Sequence, residues 1–423
     1  MKYQKICVLG LGYIGLPTAC TFATHGIQVV GVDINTEIVQ GLQNGHIHIF
    51  EPGLRSLVQA AIQSGNITFQ SAPESVDAFI IAVPTPITPD KKADLEAVKA
   101  AANSIVPHLR KGNLVILEST SPPRTTCDIV APILEKSGLK AGPDFLLAYS
   151  PERVLPGRIL EEIIQNTRVI GGIDEPSAAA GKELYGAFVK GDILLTNATT
   201  AEMVKLMENT YRDINIAIAN EFAHLADRFG VDAWEAIEIA NHHPRVNILQ
   251  PGPGVGGHCI SVDPWFLVEA APDISPLVHT AREVNDGQPG YVVHSMKKKI
   301  GTLTGKKISV LGLSYKADID DLRESPAIEI VNLLLKEKAH VTVFEPFKPD
   351  GFHGNGRSVN NLEDALHDCE ILLLLVAHHQ FTELDPQNVR QMTGAAYAVD
   401  MCGGWQRQAW ENAGFQFLKL GQP

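Results

Sequence analysis

Gly252 to Trp265 reads GPGVGGHCISVDPW, a run in which four glycines lead to one cysteine and, four residues later, one aspartate. A thiol at the end of such bare backbone has two uses. It is either a small buried apolar group, the usual fate of a free cysteine, or an exposed nucleophile that can hold an acyl group. Cys259 has little apolar sequence around it, and Asp263 sits where a helical turn starting there would return. His258 beside it suggests zinc, but no second Cys/His pair at ligand spacing accompanies it, and no metal is expected.

Other residues of catalytic type lie upstream. Lys205 and Asn209, four apart, share one helix face that carries few other polar groups of the kind that could hold an alkoxide. They are either donors to an alkoxide or two exposed polar residues of an amphipathic helix. The apolar run LVILEST ends on Thr120, and YSPERVLPG places Glu152 in a proline-flanked loop. Carboxyl ends of strands are where open α/β sheets hold ligands. Spacing alone makes Glu152 little more than an ordinary loop acid.

Gly10-Leu11-Gly12-Tyr13-Ile14-Gly15 is an intact GxGxxG between an apolar strand and a helix. The glycines allow a tight turn and let a pyrophosphate reach the helix N-terminus. Asp33 ends the next strand, where a carboxylate holds a ribose 2′-hydroxyl, and no Arg or Lys follows it closely to neutralise a 2′-phosphate. NAD is therefore the expected dinucleotide. Beside NAD a nucleophilic thiol has a definite use. It traps an aldehyde as a thiohemiacetal, which gives up hydride to become a thioester that water cleaves.

The turn recurs. KICVLGLGYIGLP at 5–17 is echoed by KKISVLGLSYKAD at 306–318, and each copy is followed by a second apolar strand, IQVVGVD (27–33) or HVTVFEP (340–346). AFIIAV (78–83), LVILEST (114–120) and ILLLLVA (371–377) read as further strands. The expected fold is α/β: two Rossmann-like doubly wound domains joined by a long central helix within an all-helical middle region. In the second copy Ser314 replaces the middle glycine and Lys316 and Arg323 follow. These changes point away from a second NAD and toward another anionic nucleotide. The boundaries expected are 1–198, 199–300 with Cys259, and 301–423.

Residues 199–230 read as one helix, with Thr199 and Glu202 as a capping box and Gly230 as the stop. Met203, Leu206, Met207, Ile214, Ile218, Phe222, Leu225 and Phe229 recur close to a helical period. Such a helix can pack against a copy of itself, so a homodimer is expected, and a larger homo-oligomer is compatible with it. With 423 residues and a formal net charge of −13, the chain has ample core for two or three domains, and its field attracts neither nucleic acid nor a membrane surface. Cys7, Cys20, Cys127, Cys259, Cys369 and Cys402 form no CxxC, and KICVLG begins a strand with no signal peptide before it. A reduced, cytoplasmic setting follows.

The order VLGLGYIGLP, GVDIN, IAVPTP, ILESTSPPRTT, SPERVLPG, AEMVKLMENTYRDINIAIANE, HPRVNILQPGPGVGGHCISVDPW and DDLRESPA resembles the UDP-glucose/UDP-N-acetylmannosamine dehydrogenase family nearly end to end. That resemblance implies NAD-dependent four-electron oxidation of a UDP-sugar C6 hydroxyl to a carboxylate. Cys259 is then the nucleophile, Lys205 and Asn209 stabilise charge on the substrate oxygen, and Asp263 orients Lys205 and the water. Thr120 and Glu152 position or activate that water. Thr85, Thr120 and Arg323 join the NAD site, while Arg153, Val154, Gly256 and Lys316 line the UDP-sugar. Arg245 reaches the substrate from its own or a neighbouring subunit. The 199–300 region becomes the dimerisation region and 301–423 the UDP-sugar-binding domain.

UDP-glucose members carry a second loop glutamate where this chain has Pro156. GHIHIFEPGL, PERVLPG and HPRVNILQPGPGVGGHC are most similar to the UDP-N-acetyl-D-mannosamine branch, whose product feeds surface polysaccharides. UDP-N-acetylglucosamine and UDP-glucose 6-dehydrogenases are the alternatives. A two-electron hydroxyacid dehydrogenase and a non-catalytic NAD-sensing protein compete with both. The first would release one NADH per substrate; reaction of Cys259 with a thiol reagent, and protection by UDP, separates the second.

Overall fold

The computed structural model describes residues 3–257 and 259–423. It divides into two units, one made of residues up to Glu208 with Trp265–Pro272, the other of Asn209–Pro264 with Asp273–Pro423.

The first unit is built on strands β1 (Lys5–Leu9), β2 (Gln28–Val32), β3 (Ile67–Gln70), β4 (Ala78–Ile81), β5 (Leu114–Leu117), β6 (Leu146–Tyr149), β7 (Arg168–Gly172) and β8 (Ile193–Asn197). Their order is β3-β2-β1-β4-β5-β6-β7-β8, parallel except at the β6–β7 pair. β4 and β5 are apolar and buried throughout, and β1 is so beyond Lys5, as central strands covered by helices on both faces must be. The order reverses between β1 and β4, so the turns after these strands flank the crevice in which doubly wound sheets hold ligands.

The second unit repeats the plan with β9 (Lys307–Leu311), β10 (His340–Phe344), β11 (Arg357–Val359), β12 (Ile371–Leu374), β13 (Tyr397–Asp400) and β14 (Gln416–Lys419). Its order is β11-β10-β9-β12-β13-β14, parallel throughout. The repeat seen in the sequence is thus a repeated topology.

One helix, Ala198–Phe229, runs from the first unit into the second. Gly230 stops it at φ +70°, but its start departs from expectation. Asn197 caps it through Thr200 N–H, while Glu202 turns away and accepts the N–H groups of Arg124 and Thr126. A capping box fails here because Glu202 is fully buried beside a loop whose orphan donors need it.

The helix also inverts the simple amphipathic reading. Leu206 is buried, but Met207, Tyr211, Ile218, Phe222, Leu225 and Phe229 are exposed. The buried face instead carries Glu202, Lys205, Asn209, Asp213 and Asn220. Helix Pro276–Ile300 supplies their partners in the second unit. Arg282 donates to Asp213 at 2.5 Å, and Asn285 bonds both Asp213 and Asn220. Among the described residues no helix is long and apolar enough to cross a membrane.

Candidate active site

The dinucleotide turn has the geometry its glycines foretell. Gly10 lies at φ +93°, and a Cβ there would meet the Ala82 carbonyl at 2.5 Å. Nothing lies within 4 Å of where a Gly12 Cβ would be, so this glycine leaves open space for a ligand. Helix Gly15–Thr24 begins without a side-chain cap and without an acidic residue in its first turn. Its N-terminal N–H groups suit a pyrophosphate. Asp33 accepts Leu11 N–H at 2.9 Å and Asn35 N–H at 2.9 Å, which holds its carboxylate at the end of β2 beside the turn. These residues fit NAD. Thr85, after β4, donates to the Thr120 carbonyl after β5 at 2.6 Å, which ties the neighbouring loops together.

The second copy of the turn is used up internally. Glu345, at the end of β10, accepts Leu313 N–H at 2.7 Å and Ser314 N–H at 3.0 Å. The buried His378 accepts Asp318 N–H on Nδ1, so Nε2 carries the proton and donates to Glu345. Burial works to raise the Glu345 carboxyl, but the hydrogen bond from His378 and those from the loop N–H groups hold it below the ordinary carboxylate range. Residues 312–325 also separate β9 from helix Pro326–Lys336, so no helix N-terminus follows the turn directly. A dinucleotide pyrophosphate has no cradle there. Lys316 is half-buried, and Arg323 is exposed with its guanidinium forked onto Asp321 at 2.8 and 2.6 Å.

The glycine-rich stretch leading to Cys259 is strapped to the long helix at both ends. Gly252 N–H donates to Asn220 at 2.9 Å, and Gln288 donates to the Gly252 carbonyl at 2.9 Å. At the far end the Cys259 carbonyl accepts Asp263 N–H at 2.8 Å, opening helix Asp263–Ala270, and Asn209 Nδ2 donates to Asp263 at 2.5 Å. Between these anchors the glycines serve packing. A Cβ at Gly256 would strike the Glu324 carbonyl, and one at Gly257, where φ is +84°, would meet the Tyr315 ring at 2.7 Å. The space beside these two glycines is taken by the protein's own backbone and the Tyr315 ring. Cys259 itself is exposed. His258 lies outside the described residues, and no group of three metal-ligating side chains occurs among the others.

Lys205 and Asn209 are 8% and 9% exposed, which overturns the reading of them as surface polar residues. The same buried face carries Glu202 a turn before and Asp213 a turn after. Glu152 accepts Arg153 N–H at 2.8 Å and the guanidinium of Arg168. Arg153 pairs with Glu208 at 3.0 Å, and Val154 is half-buried. The loop beyond is held by Glu51, whose carboxylate accepts Gly157 and Ile159 N–H. Arg245 is exposed. Sequence reasoning missed Arg168, Glu118, Glu51, Asn220 and Gln288. Only Asn220 left a signal, lying three helical turns after Asn209 on the same helix.

Family models match in order along the chain. The NAD binding domain of the UDP-glucose/GDP-mannose dehydrogenase family covers residues 4–189, its central domain 199–287 and its UDP binding domain 309–407. The chain is 46% identical to the UDP-N-acetyl-D-mannosamine dehydrogenase of Methanocaldococcus jannaschii, over 99% of this chain and 96% of that one. It is also 46% identical to an NDP-N-acetyl-D-galactosaminuronic acid dehydrogenase of Ralstonia solanacearum, over 96% and 97%. The solved UDP-D-ManNAc dehydrogenase of Pyrococcus horikoshii superposes with a TM-score of 0.92 at 39% identity, covering 99% of both chains. The dinucleotide turn, the two doubly wound sheets and these matches over nearly its whole length agree, and the chain belongs to the UDP-glucose/GDP-mannose dehydrogenase family.

Proposed function

We propose that this chain oxidises the C6 hydroxyl of UDP-N-acetyl-D-mannosamine to a carboxylate. The observation that carries the reading is near-full-length similarity to relatives of that name, together with an exposed Cys259 at the start of a helical turn bonded back to Asn209. NAD, held by Gly10, Gly12, Tyr13, Ile14, Gly15, Asp33, Thr85, Thr120 and Arg323, supplies two hydride acceptors per substrate.

Lys205 and Asn209 donate hydrogen bonds to the C6 oxygen as negative charge develops on it. Asp263 fixes the Asn209 amide through the bond described above, and it orients Lys205 and the water. The Cys259 sulfur bonds to the aldehyde carbon, and the resulting thiohemiacetal is oxidised to a thioester. Water then adds to the acyl carbon, the C–S bond breaks with its electron pair returning to sulfur, and Glu152 takes the water proton with Thr120 beside it. Arg153, Val154, Gly256, Lys316 and Arg245 hold the UDP-sugar. The functional division remains 1–198, 199–300 and 301–423.

The exposed apolar residues Met207, Tyr211, Ile218, Phe222, Leu225 and Phe229 are spaced three, four or seven apart and so share one stripe, which supports a homodimer through this helix. Sedimentation should give the dimer mass, and a monomer at micromolar concentration would refute that arrangement. Six cysteines without a disulfide among the described residues support a cytoplasmic setting.

The test of substrate and chemistry is stoichiometry. With NAD in excess, limiting UDP-N-acetyl-D-mannosamine should release two NADH per sugar, and UDP-N-acetyl-D-glucosamine or UDP-glucose far less. Two NADH from either of the others keeps the chemistry and overturns the sugar. One NADH per sugar removes the thioester half-reaction.

A further inference from the structure

A buried cluster in the first unit surrounds Glu152 from behind. Glu118 follows β5, two residues before Thr120, and its side chain is wholly buried. Its Oε1 accepts Arg168 Nη1 at 3.2 Å and the Tyr185 hydroxyl at 2.9 Å. Its Oε2 is buried with no hydrogen-bond partner. Arg168, the first residue of β7, stacks on the Tyr185 ring at 4.0 Å and donates to Ser150 at 3.1 Å. Its Nη2 donates to Glu152. One guanidinium therefore serves two carboxylates where water does not reach.

We infer that Glu118 and Arg168 are positioning residues for Glu152: Arg168 fixes the direction of its carboxylate, and the charge on Glu118 sets how much of the guanidinium Glu152 must share. This rests on Glu152 taking the proton of the water that cleaves the thioester. While Glu118 is neutral, Arg168 belongs to Glu152 and occupies it. Once Glu118 ionises, the guanidinium is divided and Glu152 is freer to take the proton. The groups facing Glu118 are Arg168 from β7, Glu152 from the loop after β6, Tyr185 from helix Glu175–Tyr185, and Thr18 from helix Gly15–Thr24. Burial pushes the Glu118 carboxyl up to about 7, with Arg168 opposing the rise and Glu152 adding to it. The exchange thus falls near neutral pH.

The test compares the parent, Glu118→Gln and Glu152→Gln as full chains. The kcat for UDP-N-acetyl-D-mannosamine is followed from well below to well above neutrality, beside a carboxyl carbon NMR titration of the protein alone. The parent should show a carboxyl titrating near neutrality and a kcat that rises through the same range. Glu118→Gln should lose both. At alkaline pH its kcat should fall at least about tenfold, with KM falling in step and an early NADH burst as thioester accumulates. A merely structural role predicts neither the burst nor the flattened profile.

Tyr185→Phe removes the hydroxyl that favours ionised Glu118, so both inflections should move to higher pH. This second variant decides the matter should Glu118→Gln fail to fold. An unchanged pH profile in Glu118→Gln, or unmoved inflections in Tyr185→Phe, overturns the inference. Parent-like turnover by Glu152→Gln refutes the role given to Glu152 itself. If the sugar is not turned over, the titration decides alone, and the absence of a near-neutral carboxyl lost in Glu118→Gln overturns the inference.

Discussion

Replacing Cys259 with serine is expected to leave NAD binding intact and to lower acid formation by about a thousandfold or more, since a hydroxyl is a far weaker nucleophile than a sulfur anion. The change is nearly isosteric at an exposed position. The strapping of the loop is made by backbone groups of Gly252 and Cys259 and by Asp263, none of which it alters. Folding therefore should not suffer. Quenched reactions analysed for the uronate, beside fluorescence titration with NADH, make the measurement. Acid production within tenfold of the parent would remove Cys259 from the mechanism. Loss of NADH binding would mean that the loss of activity is structural.

Lys205→Met should reduce kcat on the order of 10²- to 10³-fold, the usual worth of one donor aimed at a developing oxyanion. Methionine retains the buried stem and removes only the donor, so KM and dinucleotide affinity should change little. Lys205 earns this prediction from its burial: a lysine 8% exposed, one turn before an asparagine already fixed by a carboxylate, is not a solvated surface residue. A kcat within tenfold of the parent would sink the assignment. A large rise in KM with kcat intact would make Lys205 a binding residue instead.

The dinucleotide turn was readable because its demands are local. Gly10 needs a positive φ, Gly12 needs an empty side, and Asp33 must end the next strand; all three follow from residue type and spacing. The doubly wound order of both sheets follows from apolar strands alternating with helices, and the internal repeat announced that there are two. The failure of the second turn to take a dinucleotide was visible in Ser314. Its cause was not: Glu345 and His378, which follow two other strands, occupy the N–H groups of Leu313, Ser314 and Asp318.

What escaped the sequence depends on partners distant along the chain. Periodicity gave the long helix an apolar stripe but could not say which side is buried. Burial went to Glu202, Lys205, Asn209 and Asp213, because Thr126, Asp263 and Arg282 satisfy such polar groups from elsewhere. In the same way, the glycines before Cys259 look like space for a ligand until Tyr315 and Glu324 are seen to fill it. The sequence by itself determined the two nucleotide folds and the cofactor turn, and it singled out one cysteine as the proposed nucleophile. Only the tertiary structure decided which polar residues are buried, what strap holds the cysteine's loop, and that one arginine answers to two glutamates, since each rests on contacts between residues tens of positions apart.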